Sequence, residues 1–231
     1  MLIFLFFLLT YTLEACKVSV SIAMYEPMWY LKWNLNLTRS NLHPSTKIYV
    51  HLNKLTPYTP QEIQQLQVDV NPKRIEVHPF HSSLAMAHLS NIRLMGDEGY
   101  VLLLSSNTIM LKKGVENEIC KHKYPFLSIQ HFIPPFTGVS PDEINLIKKL
   151  PPSLKKGREV RKILHEGFYS PLGPQKLLKE EYMNIPVQLE EYLFVSQLPS
   201  TPTQGVSPIH FHWGDDLPTP LGEKGWGSSN L

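Results

Sequence analysis

The chain carries several groups of side chains whose types and spacing can do chemistry. Glu190-Glu191 is an adjacent acidic pair, and Glu166 sits inside His165-Glu166-Gly167-Phe168. A carboxylate with a pKa matched to its surroundings can take a proton from a hydroxyl as a general base. Of an adjacent pair only one can face a cleft, and Gly167 would let backbone approach a ligand closely. Ser105-Ser106-Asn107 offers three hydrogen-bonding side chains in a row. Lys155, Lys156, Arg158, Arg161 and Lys162 form a basic run able to meet phosphate oxygens. His210 and His212 alternate as on one face of a strand, with Asp215-Asp216 following and His78 and His81 elsewhere as further imidazoles for a metal. Each group also has an ordinary structural reading: a solvated helix face, a turn, a solvated loop. For the two histidines an aromatic patch over the sheet is the preferred one, because neither spaced cysteines nor a His-Glu-x-x-His helix accompanies them.

The elements that must position these groups can be read from the pattern. Tyr100 to Leu104 is continuously apolar or aromatic and is closed by the Ser-Ser-Asn corner. Such a run predicts a central strand buried on both faces, and ligands of open α/β sheets bind just beyond the carboxyl ends of such strands. Lys17 to Tyr25 alternates into a first strand that Glu26-Pro27 breaks, and Lys47 to Leu52 and Arg74 to His78 read as the second and third. Helices are predicted from Met28 to about Ser40 and over Ser82–Leu94. Another starts at Thr59-Pro60-Gln61-Glu62, where threonine caps and proline takes the first position. The alternation predicts an α/β fold with a mainly parallel, Rossmann-like sheet and helices on both faces. Beyond Cys120 the pattern loosens. A helix is predicted from Ser140 to Leu150, others over Leu177–Tyr182 and Leu189–Gln197, and an ordered aromatic patch at Ile209–Trp213.

A length of 231 residues with 42% hydrophobic content suits one globular domain with a tail. The near-neutral balance, +2, argues against nucleic acid as a partner. Met1 to Leu13 is almost wholly apolar but shorter than a membrane span of roughly 20 residues. It reads as a signal peptide or short signal anchor over residues 1–16, giving entry to the secretory pathway, with cleavage near Ala15 or Cys16. Membrane contact is expected only through this segment, if it stays uncleaved. Residues 17–198 are the expected domain and 199–231 a Pro/Gly-rich tail. Cys16 and Cys120 can pair if cleavage leaves Cys16 in place; otherwise Cys120 is a lone thiol. Asn36-Leu37-Thr38 is a glycosylation sequon.

The stretch HSSLAMAHLSNIRLMGDEGYVLLLSSNTIMLKKGVENEI, residues 81 to 119, resembles the nucleotide-sugar half of core-2/I-branching-type β-1,6-N-acetylglucosaminyltransferases. Ser83-Leu84 falls on the family's helix start, Tyr100 to Ser105 on its aromatic-aliphatic-Leu-Leu-Ser strand, Ser106-Asn107 on its polar corner and Gly114 to Glu118 on its Glu-rich helix start. The resemblance runs from about Lys17 to Ile119 and again near His165 to Leu198, where Glu190-Glu191-Tyr192 occupies the place of an acidic pair and an aromatic. The family's Ser-Gly-x-Asp corner is replaced here by Ser-Ser-Asn.

The resemblance implies a fold of the GT-A type and inverting transfer of a sugar, N-acetylglucosamine in that family, from a UDP-sugar donor to a glycan or glycoprotein acceptor. It implies no metal cofactor, since the family lacks an Asp-x-Asp pair and neutralises the diphosphate with basic side chains. On this reading Glu190 or Glu191 is the base, with Glu166 the alternative. Ala23 and Tyr25 lie beside the nucleotide base, Ser105, Ser106 and Asn107 bind ribose or phosphate, and Arg158 and Arg161 meet the diphosphate. It places the chain in the Golgi or ER lumen, membrane-anchored or secreted. The rival class is a secreted or lumenal carbohydrate- or nucleotide-binding protein that keeps the sheet without catalysis. An α/β-hydrolase reading is disfavoured because no Gly-x-Ser-x-Gly elbow is present.

Overall fold

The apolar run around Leu102 forms a strand because both of its faces are covered. Leu102 and Leu104 pack into one core with Val20, Ile22, Leu31, Ile48 and Val50. Val101 and Leu103, pointing the other way, enter a second core with Met86, Leu89, Phe168, Leu193 and Phe194. Alternate side chains of one strand thus serve opposite layers, as a pleated backbone requires. The computed structural model describes residues 16–77, 83–106, 108–110, 113–122, 130–132, 135, 139–155, 160–162, 167–178, 190–196 and 211–213.

The chain order is β1 (Val18–Met24), α1 (Met28–Asn41), β2 (Lys47–Leu52), α2 (Pro60–Gln64), β3 (Asp69–Val70), α3 (Ser83–Ile92), β4 (Tyr100–Ser105), β5 (Thr108–Met110) and α4 (Val115–His122). Then come β6 (Gln130–Phe132), α5 (Pro141–Lys149), a 3-10 turn (Pro152–Leu154), β7 (Val160–Lys162), β8 (Tyr169–Pro171), α6 (Leu172–Lys176), α7 (Glu190–Ser196) and β9 (Phe211–Trp213). The main sheet has the order β3-β2-β1-β4-β8. The first four strands are parallel, with Ala23 level with His51 on one side and Ser105 on the other, and β8 runs antiparallel along β4. α1, α2 and α4 cover one face; α3, α5, α6 and α7 cover the other. The expected α/β fold, a mostly parallel sheet with helices on both faces, is what forms.

Local chemistry explains most element boundaries. At α2 the capping box is complete: the Thr59 hydroxyl accepts from the Glu62 N–H, and the Glu62 carboxylate accepts from the Thr59 N–H at 2.8 Å. Gly99 enters β4 at φ +100, and a Cβ there would lie 2.3 Å from the Lys17 carbonyl oxygen, so only glycine fits.

The third strand differs from expectation. It is Asp69–Val70 rather than Arg74–His78. Residues 74–77 are instead tied side-on to the end of β2: the Ile75 N–H donates to His51 Nε2 at 2.8 Å, and Val77 exchanges two bonds with the Asn53 side chain at 3.0 Å. Side chains meet three of these backbone groups and the Lys54 N–H meets the Ile75 carbonyl at 3.1 Å, so no regular ladder forms. His78 lies outside the described residues, as do residues 179–182 of the helix expected over Leu177–Tyr182.

Cys16 and Cys120 form a disulfide, with Cα atoms 5.8 Å apart. β9, inside the expected tail, pairs antiparallel with β5, Thr108 opposite Trp213. No helix among the described residues is long and apolar enough to cross a membrane.

Candidate functional site

The strand order reverses direction between β1 and β4: the chain steps outward from β1 through β2 to β3, then returns to place β4 on the other side of β1. At such a switch point the loops leaving two adjacent strands diverge and open a crevice at their carboxyl ends. Ala23 and Ser105 are the paired residues at this crevice. Ala23 is fully buried, whereas Tyr25, two residues on, is 39% exposed beyond the strand end.

Glu26 is the group at this corner that sequence reasoning missed. The Ser106 hydroxyl donates to its Oε1, and the Tyr25 N–H donates to its Oε2 at 3.2 Å. Burial pushes the Glu26 carboxyl above the usual carboxylate range, against the opposing pull of the Ser106 and Tyr25 hydrogen bonds. Two tyrosines flank it. The Tyr58 hydroxyl donates to the Glu26 carbonyl at 2.7 Å, and burial pushes that phenol up to about 12. Burial, and then the Glu26 charge, push the Tyr30 phenol up as well. The available signal was position: Glu26 is the charged residue directly after β1, but the Glu-Pro pair read as a strand breaker.

The corner is braced from three sides. Asn34 of α1, buried, donates through Nδ2 to the carbonyls of Ser106 at 2.8 Å and Thr108 at 3.0 Å. Ser105 Oγ shares a 2.7 Å hydrogen bond with Thr108 Oγ1, closing the turn between β4 and β5. On the β2 side the Thr56 hydroxyl donates to the Tyr25 carbonyl at 3.1 Å. Arg74 Nη2 donates to the carbonyls of Asn53 and Thr56, both at 2.6 Å, with its guanidinium 5.5 Å from the Tyr58 ring centre. Behind them His51 is fully buried, and burial followed by the Arg74 charge lowers its pKa to about 4.

Ala23, Tyr25, Ser105 and Ser106 are thus brought together; Asn107, the third member of the corner, lies outside the described residues. Arg161 behaves differently from expectation. It is 5% exposed, and its Nη2 donates at 3.1 Å to the carbonyl of Ser196, the last residue of α7. A helix end leaves carbonyls without intrahelical partners, and Arg161 fills one of them. Gln175 fills another, donating to the Phe194 carbonyl at 3.1 Å. Arg158 and Glu166 lie outside the described residues. Gly167, which follows Glu166 in the chain, has φ +77, and its N–H donates to the Leu103 carbonyl at 2.8 Å. Glu190 and Glu191 form the first turn of α7.

Among the described residues no three His, Cys, Asp or Glu side chains gather as a metal site. His78, His81, His210, Asp215 and Asp216 lie outside the described residues, and His212 is level with Ile109 in the β5–β9 pair. A groove of about 650 Å³ lined by Arg39, Thr46, Lys47, Ile63, Gln67 and Asp69 opens at the amino end of β2, and it contains none of the residues expected to act.

No family model matches the chain, and no curated protein does. Among solved structures it is similar to S. aureus TarS, at 13% identity over 78% of this chain and 33% of TarS, with a TM-score of 0.44. It is also similar to residues 1–349 of S. aureus TarS in complex with UDP, at 15% identity over 47% of this chain and 33% of that one, TM-score 0.35. A third is the galactosyltransferase LgtC in complex with donor and acceptor sugar analogues, at 11% identity over 81% and 72% of the two chains, TM-score 0.42. The chain spans about a third of the length of the TarS chains it matches.

Proposed function

We propose that this chain is an inverting glycosyltransferase that moves a sugar from a UDP donor to a glycan hydroxyl in the secretory pathway. The observation that carries the reading is the corner at the β1–β4 switch point, where Tyr25, Glu26, Ser105 and Ser106 converge. A partly buried carboxylate that already accepts two hydrogen bonds can accept from the hydroxyls of a ribose or the N–H of a base. Tyr25 supplies a face for the base. The resemblance to core-2/I-branching-type enzymes names N-acetylglucosamine as the sugar and makes metal unnecessary. Lys156 and Arg158 of the basic run are then the cations for the diphosphate. Arg161 is withdrawn from that role because it caps α7.

In the reaction a carboxylate takes the proton of the acceptor hydroxyl as its oxygen bonds the anomeric carbon, and UDP leaves from the opposite face with the bonding electrons. The direction of α7 supports Glu190 or Glu191 as this base. Phe194 lies 6.1 Å from His88 and 6.4 Å from Phe168, ring centre to ring centre. Both rings belong to the level of Leu103: His88 bonds Ser21, the β1 partner of Leu103, and the Phe168 carbonyl accepts from the Leu103 N–H. A helix carbonyl points to the helix C-terminus, and that of Phe194 meets Gln175 of α6, which follows the amino end of β4. This direction supports a first turn of α7 on the side of the carboxyl ends.

The Cys16–Cys120 disulfide supports a secretory location, since such bonds persist in oxidising compartments. Cleavage after Ala15 would keep it. The test is transfer from UDP-N-acetylglucosamine to a panel of O- and N-glycans with EDTA present. Activity that falls about 10²–10⁴-fold in Glu190→Gln or Glu191→Gln, with UDP affinity retained, supports the enzyme. UDP binding with no transfer in any arm supports the non-catalytic binding protein instead.

A further inference from the structure

α1 carries an exposed aromatic face. Trp29 is 55% and Trp33 37% exposed, whereas Met28, Leu31 and Leu35 of the same helix are buried. The two indoles are linked through Tyr30, whose ring lies 5.7 Å from Trp29 edge-on and 5.6 Å from Trp33. Asn36 and Ser40 continue the exposed face at helical spacing, so it bears no charge. Lys32, the one cation nearby on the same two turns, is drawn aside to Gln65, the residue that caps the end of α2, at 2.7 Å. Exposed aromatic clusters mark contact surfaces, and this one begins three residues after Glu26.

From this face we infer that Trp29 and Trp33 form a stacking platform for a neutral saccharide, the glycan acceptor of the proposed transfer; the inference rests on that reading of the switch-point corner. Flat indoles take the apolar face of a sugar ring, while the Ser40 hydroxyl oxygen, whose proton goes to the Leu37 carbonyl at 2.8 Å, can accept from its hydroxyls. Two other occupants fit less well. A membrane is disfavoured because the apolar leader joins the domain at Cys16, at the amino end of β1, and α1 starts at the opposite end. The strand between them is roughly 23 Å long. A second copy is disfavoured by area: the exposed parts of three rings amount to a few hundred Å² at most, below the roughly 800 Å² per partner of a stable interface.

The test is tryptophan fluorescence of the full wild-type chain titrated with chitotetraose and N-acetyllactosamine, with isothermal titration calorimetry giving the affinity in wild type and in the Trp29→Ala/Trp33→Ala variant, which lacks the reporting indoles. UDP-induced thermal stabilisation is followed in parallel. Saturable quenching or blue shift of the wild type by at least one saccharide is expected, with a calorimetric affinity about tenfold or more weaker in the variant while its melting temperature and UDP response stay unchanged. The inference is overturned if neither saccharide alters the wild-type spectrum, or if the variant binds equally well. It is also overturned if the substitutions abolish self-association or phosphatidylcholine-vesicle binding rather than saccharide binding. A retained UDP response with no saccharide binding sinks the platform alone. Loss of the UDP response with saccharide binding intact sinks the donor site alone.

Discussion

Glu26, just past the end of β1, and His51, on the neighbouring β2, are both held away from their ordinary protonation, in opposite senses. His51 accepts the Ile75 N–H at Nε2, so its proton sits on Nδ1, and a second proton would be buried beside Arg74. Its folded pKa of about 4 lies below the unfolded 6.5, so its contribution is fully present above pH 6.5 and fades as pH falls toward 4. The full difference amounts to about 3 kcal/mol. Denaturant melts from pH 7 to 4 should show this slope, and His51→Gln should flatten it. Glu26 has the reverse sign: its raised pKa favours the protonated form, so stability is lost as pH rises through that pKa. Glu26→Gln keeps an oxygen for the Ser106 hydroxyl and removes the buried charge, giving up only the long, exposed bond from the Tyr25 N–H. The variant should melt higher, by about 2–4 °C for each kcal/mol recovered, yet bind UDP more weakly. A variant that melts lower and binds UDP equally well would make Glu26 merely structural. Its position after β1 was visible in the sequence, but burial and the Ser106 bond arise from a pairing 80 residues apart in the chain.

At the scale of elements, the corner depends on α1. Thr38 donates to Asn34 Oδ1, which orients the amide whose Nδ2 holds the Ser106 and Thr108 carbonyls. Asn34→Ala strands two buried carbonyls and should cost about 2 kcal/mol, with a larger proportional loss of UDP affinity than of stability. Equal urea midpoints for variant and wild type would contradict this. Here the sequence was legible in part. The strands at Val18, Lys47 and Tyr100 and the helices at Met28, Thr59, Ser83 and Ser140 stand out because periodicity and capping are local. Asn34 and Thr38, buried on an otherwise apolar helix face, look ragged until their distant carbonyl partners are known. The same holds for residues 74–77, whose hydrophobic alternation suggests a strand but whose partners are the His51 and Asn53 side chains and a single backbone N–H, that of Lys54. Arg161 read as a phosphate ligand because a basic run says nothing of which helix end it will meet.

At the scale of the whole molecule, the disulfide and the sheet set one polarity. The Cys16–Cys120 bond pins the start of β1 to α4 at the amino end, and the Glu26–Ser106 corner and Trp29 stand at the carboxyl end. The bond closes a loop across a separation of 104 residues. Its loss through Cys16→Ser/Cys120→Ser should cost about 2–5 kcal/mol, read as a lowered urea midpoint that reductant does not lower further. The mostly parallel order was legible from alternating strands and helices. Antiparallel β8 and the β5–β9 pair were not, since each is three residues long and recruited by contact with distant chain. The most direct measurement is the melting temperature of the full chain against rising UDP, with and without EDTA, in wild type and in Ser106→Ala. A ligand that binds only the native state must raise it, by an amount worth about 2.7 kcal/mol at 100 times Kd. The account predicts a saturating rise that survives EDTA and weakens in Ser106→Ala. No rise in wild type at millimolar UDP would contradict the donor site at the β1–β4 corner.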